Sequence, residues 1–155
     1  MSVLDDGTAY FKMLLGLKVS RALATLPATA QTPYFTVAGG KVLLTGLIGI
    51  VTTAVQAQAT TVQLIATPTV GTAVNLSNAT GDLNGKEVGS TICLATTLGG
   101  TLVVGVAGGN AFPIGNYFVV QTGTIDFKTG ATSTGATRWI LSYIPLDAGA
   151  SVVAA

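Results

Sequence analysis

Apolar positions along this chain recur at two different spacings. From Pro33 onward they fall into short runs punctuated by glycine: Val42 to Val55, Thr61 to Thr67, Thr91 to Thr96, Leu102 to Ala107, Tyr117 to Thr122 and Arg138 to Leu146. Runs of this length, rich in Val, Ile, Thr and aromatic residues and bounded by turn residues, predict β-strands at the spacing of a sandwich or barrel. In the last run Trp139, Leu141 and Tyr143 share one face of a strand, while Ile140, Ser142 and Ile144 share the other, so both faces are expected to be at least half buried.

Residues 8 to 26 read differently. Thr8 is a candidate N-cap, and Pro27 disfavours helical geometry at Leu26, so the segment predicts a helix. Tyr10, Phe11, Met13, Leu14, Leu15 and Leu17 surround its axis, which makes it poorly amphipathic and in want of cover on several sides. It either packs on its own domain or docks as an arm on another subunit. The predicted organisation is therefore a mainly β chain, with an N-terminal arm or helix over residues 1–32 and a sandwich or barrel-like β domain over residues 33–155.

Turns follow from local chemistry. Asn84-Gly85, inside the charged stretch Asp82 to Glu87, is a two-residue hairpin signal, because glycine and asparagine tolerate positive φ; a hairpin tip is predicted there. Gly115-Asn116 is a second such signal, and the run from Lys128 to Thr137 reads as a loop. Glycines inside Leu43 to Val51 and Leu102 to Val106 mark bulges or close backbone approach.

Composition sharpens this picture. Hydrophobic residues make up 49% of the 155 residues and charged residues only 8%, against about a quarter charged in ordinary domains. The 24 threonines and 20 glycines suit strands and turns, and threonine hydroxyls hydrate a surface without ionising. Charge is absent from residues 42 to 81 and from 88 to 125. Long uncharged strands at a sheet edge invite pairing or burial against other chains, which monomers normally block with lysine, proline or inward charges. A permanent oligomer is expected.

The candidate chemistry is sparse. Histidine is missing, which removes the usual general base, the triads built on it and the commonest metal ligand. The six carboxylates, Asp5, Asp6, Asp82, Glu87, Asp126 and Asp147, each lie beside a turn signal, a basic residue or the N-terminus, as expected of loop charges rather than of a glycosidase pair. The Asp82 to Glu87 stretch lacks the alternating ligands and closing bidentate glutamate of a calcium loop. Gly39-Gly40-Lys41 is followed by valine, so it reads as a turn into a strand rather than a phosphate loop. Cys93 lies between Ile92 and Leu94, the setting of a small buried apolar residue. The chain is expected to be no enzyme and to use no cofactor, metal or small-molecule substrate. Its seven basic residues are scattered, against nucleic-acid binding. No run of 18 apolar residues exists, and neither a secretion signal nor the aromatic girdles of a membrane barrel is found. The sequons at Asn75 and Asn78 read as chance matches.

One stretch carries a likeness. Residues 35 to 56, FTVAGGKVLLTGLIGIVTTAVQ, followed by a Thr/Val-rich strand and the turn Pro68-Thr69-Val70-Gly71-Thr72, look like small virion proteins of tailed bacteriophages. Over residues 34 to 100 the chain resembles their capsid decoration, or cement, proteins. That resemblance implies a β-rich, often trimeric subunit made in the host cytoplasm, which sits on the capsid surface and ties neighbouring capsomers together. Its partners would be the major capsid protein and copies of itself. On this reading the contact segment is the arm around Tyr10, Phe11, Leu14 and Leu15, with Trp139 and Tyr143 as core or subunit-interface anchors, and removal of residues 1–30 leaves the β domain folded. Two other readings stay open: a carbohydrate-binding head-fibre or tail component, and a ring-forming tail-tube or adaptor subunit.

Overall fold

In a computed structural model, which describes residues 15–111 and 117–155, the chain folds into two six-stranded antiparallel sheets packed face to face. Twelve strands are formed by the described residues: β1 (Leu17–Thr25), β2 (Gln31–Ala38), β3 (Val42–Thr53), β4 (Thr61–Pro68), β5 (Val74–Asn75), β6 (Gly81–Asp82), β7 (Thr91–Cys93), β8 (Val103–Val104), β9 (Phe118–Val120), β10 (Gly123–Thr129), β11 (Ala136–Pro145) and β12 (Ser151–Ala154). The first sheet runs β1-β11-β3-β7-β8, with β9 also paired to β3. The second runs β12-β2-β10-β4-β5, with β6 also paired to β4. The architecture is a mainly β sandwich.

Alternation of side chains decides what each strand buries. Trp139, Leu141 and Tyr143 of β11 all face the interior, and Ile140, Ser142 and Ile144 are half-buried on the outer face. Opposite them in the second sheet, Ile125 and Phe127 of β10 and Phe35 and Val37 of β2 point inward. Three rings join the sheets: Tyr34 stacks on Phe127 with centroids 5.0 Å apart, and Trp139 meets Phe127 at 5.2 Å and Tyr34 at 5.9 Å. Such offset and tilted contacts add about 0.5–1.5 kcal/mol each to what the buried area supplies. The Trp139 indole N–H donates to Thr137 Oγ1 at 3.0 Å, so its one polar group is satisfied inside the core.

The expected helix over residues 8–26 is corrected where it can be seen. Residues 17–25 form β1, which pairs with β11 from Leu17 opposite Tyr143 to Thr25 opposite Ala136. Period-two alternation explains this. Leu17, Val19 and Arg21 lie opposite the inward-facing Tyr143, Leu141 and Trp139, and Lys18 and Ser20 face out. Ladder bonds to a buried strand stabilise this segment in a way that a helix with a poorly defined apolar face cannot match. Arg21 is used rather than solvated, since its guanidinium sits 4.0 Å over the Tyr34 ring and closes the edge of the core. Residues 8–14, with Tyr10, Phe11 and Leu14, lie outside the described residues. The sandwich thus extends N-terminally past residue 33, and a deletion of residues 1–30 removes an edge strand from it.

Three further differences are local. Lys86 N–H donates to the Leu83 carbonyl and Gly85 has φ +62°, so Asn84-Gly85 does form a tight exposed turn. It is not a hairpin tip, because β6 before it belongs to the second sheet and β7 after it to the first. Leu83, fully buried at the start of the turn, ties that crossing to the core. β10 crosses the centre of the second sheet and takes in residues 128–129, the start of the expected Lys128–Thr137 loop, and β11 takes its end. Gly115-Asn116 falls outside the described residues.

Candidate protein-binding groove

The carboxylates of the described residues serve as local acceptors. Asp82 Oδ1 accepts the backbone N–H of Thr60 at 2.9 Å and of Asn84 at 3.0 Å, which fixes the turn that follows it. Asp147 Oδ2 accepts the N–H of Lys41 at 2.7 Å and holds the Gly39-Gly40 turn between the two sheets. Asp126, only 4% exposed on the outer side of β10, takes Gln31 Nε2 at 2.6 Å and Thr67 Oγ1 at 2.7 Å on the same oxygen, clamping β2 and β4 to the central strand. No group of three or more Cys, Asp or Glu that could hold a metal ion occurs among the described residues. Cys93 is buried, and burial pushes its thiol above the ordinary 9.0. No described helix is long and apolar enough to cross a membrane.

The largest concave feature lies between the sheets, where β9 of the first faces the β4–β5 edge of the second. It is a groove of about 330 Å³. Leu76 and Val120 are buried in it, and its exposed wall is Val74, Leu98, Tyr117 and Val119, each between 44% and 58% exposed. Backbone geometry builds this wall. Val74 is held opposite Ala66 in the β4–β5 ladder. Leu98 projects from a turn closed by Gly100 N–H to the Thr97 carbonyl at 2.9 Å, and Gly99 N–H to the Leu76 carbonyl at 3.1 Å fastens that turn to the second sheet. Val119 sits opposite Leu43 on β3, and Thr69 donates from both its N–H and its hydroxyl to the Thr122 carbonyl, closing one end.

Chemically the groove offers little beyond apolar surface. Its polar side chains are Thr72, Gln121 and the Tyr117 hydroxyl, and none of its lining residues is charged. A volume near the lower end for small-ligand pockets, with few convergent polar groups, suits one or two apolar side chains of another protein better than a polar small molecule.

The residues singled out from sequence are not brought together here. Trp139 and Tyr143 face the inside of the sandwich, in the core rather than on a surface open to a partner. Leu15 is half-exposed on the outer side of the first sheet, where its carbonyl accepts the Thr45 hydroxyl. Tyr10, Phe11 and Leu14 lie outside the described residues. The groove residues were missed because Tyr117 to Val120 are four apolar residues in succession, which signals burial on both faces without saying which face a partner must cover. Leu98 stands alone in a polar turn and gives no periodic signal at all. Compared with family models, curated proteins and solved structures, the chain matches none of them.

Proposed function

We propose that this chain is a non-enzymatic structural protein of a virion: a homo-oligomeric, trimer-forming subunit that decorates a phage capsid and stabilises it through contacts with the major capsid protein and with its own copies. The observation that carries this reading is the groove beside β9, an uncharged apolar surface about half open on a rigid sandwich. Monomeric proteins seldom leave such surface unused.

The magnitudes favour an assembly over a one-to-one complex. Covering four side chains that are already half-buried is worth about 1 kcal/mol each, about 4 kcal/mol in all. That corresponds to a Kd of about 1 mM, before the entropy of association is subtracted. One groove holds a partner weakly. Several grooves on one oligomer, engaging a surface that repeats with the shell's symmetry, hold it firmly. A carbohydrate-binding role draws less support, since Trp139, Tyr34, Phe35 and Phe127 are all in the core, where no sugar can stack on them.

Co-sedimentation with particles lacking this chain tests the proposal. The wild-type protein should bind saturably and raise the particles' thermal resistance, and a Leu98→Asp/Val119→Asp variant that still folds should do neither. Failure of the wild type to bind, or undiminished binding by the variant, would remove the basis for the reading.

A further inference from the structure

The two outer faces of the sandwich differ in character. On the second sheet the outer face carries Gln63, Thr67, Thr124, Asp126 and Lys128. On the first, Ile48 sits opposite Ile140, with Ile50 and Ile144 on the same side, and all four are half-buried. An apolar outer face of this kind normally has something lying on it.

The path of the chain says what. Leu17 is paired with Tyr143 in the edge strand β1, yet two residues earlier the Leu15 carbonyl accepts a hydrogen bond from Thr45 on β3, the next strand in beyond β11. Thr45 is the extra residue of a bulge, since Leu44 lies opposite Tyr143 and Gly46 opposite Ser142, and bulges re-aim side chains in this way. Gly16, at φ +79°, makes the turn: a Cβ there would run into the Tyr143 carbonyl and would lie 2.7 Å from the Ile144 side chain. Leu15 then lines a cavity of about 160 Å³ with Ile48, Ile140, Thr45, Gly46 and Ser142. The backbone therefore crosses over β11 and arrives on the apolar outer face, and immediately before Leu15 the sequence carries Tyr10, Phe11, Met13 and Leu14.

We infer that residues 8–14 cover the outer face of the first sheet of their own chain, seating their apolar side chains over Ile48, Ile50, Ile140 and Ile144. Seven residues reach about 10 Å as a helix and about 23 Å extended. Either spans at least two strands at about 4.8 Å spacing. The segment thus acts as a strap on its own sandwich rather than as an arm lent to a neighbour, and it leaves the groove beside β9, on the far side of β3 from β11, as the surface open to partners.

Cross-linking decides this. In a Cys93→Ala background, Phe11→Cys and Ile140→Cys are introduced together and treated with a short bismaleimide. The expected product is an intramolecular link at monomer mass; links found only in dimers, or no link although both thiols are reactive, would overturn the inference. A second measurement removes residues 1–14 from an otherwise complete chain. If the truncated chain folds, binding of an apolar dye should rise several-fold over the full chain, and unchanged dye binding would also overturn it. If it does not fold, the cross-link alone decides.

Discussion

Gly49 lies directly opposite Trp139 across the β3–β11 ladder, and the indole covers the space where a side chain at residue 49 would be. A Cβ there would stand 2.8 Å from two carbons of the six-membered ring, closer than real Cβ contacts come. Trp139 cannot retreat, since it is fully buried against Tyr34 and Phe127. Gly49→Ala should therefore destabilise the fold by about 1–3 kcal/mol despite alanine's better intrinsic fit to an ordered backbone. Urea denaturation followed by Trp139 fluorescence checks this, and an unchanged midpoint would mean that the indole has room to move.

Thr137 has a different task beside the same indole. Its hydroxyl accepts the Trp139 N–H in a site closed to water. Thr137→Val keeps the shape and β-branching but strands the indole donor, and should cost about 1–3 kcal/mol. Thr137→Ser, which retains the acceptor, should lose less than Thr137→Val in the same titration.

Stability should fall at alkaline pH. Burial raises the Tyr34 hydroxyl above its ordinary 10.0, with the Thr137 hydroxyl and the Arg21 charge opposing, and raises the Cys93 thiol above 9.0. Both groups stay protonated in the folded chain after they have ionised in the unfolded one, so the folded state binds more protons and stability declines as pH rises. The contribution is whole below about pH 9 and is lost progressively above it. Denaturation midpoints at pH 8, 9.5 and 10.5 should drop in that order, and Cys93→Ala should remove the earlier part of the decline. A midpoint that rises over this interval would contradict the assignment.

At the groove, folding and association should separate. Val119 and Leu98 are more than half exposed, so Asp at either site should change folding stability by no more than about 0.5 kcal/mol. Sedimentation velocity should show the wild type as an oligomer that dissociates in the double variant if copies of the chain meet at this surface. An identical sedimentation coefficient for both would place self-association elsewhere.

Much of the sandwich was legible in residue order because its signals are local. The inward face of β11 follows from Trp139, Leu141 and Tyr143 standing two apart, and a glycine within Leu43 to Val51 does mark a close approach. β1 was not legible as a strand. Its apolar residues also fit a helix stopped by Pro27, and only pairing with β11, more than a hundred residues away, decides between them. β10 was hidden because Asp126 and Lys128 interrupt its apolar run; both lie on the outer face, where the Asp126 carboxylate clamps two neighbours. The groove was not legible either, because its residues come from separate segments, and what unites Val74, Leu98, Tyr117 and Val119 is the packing of two sheets and not any spacing along the chain.

The central claim, that the chain works by fitting its groove to other protein on a capsid, is tested most directly by a reconstruction of purified particles that carry it. The account predicts copies of the sandwich on the outer surface of the shell, with apolar side chains of a neighbouring subunit filling the space between β9 and the β4–β5 edge. Particles in which the chain is missing from the shell, or is present with that groove open to solvent, would contradict it.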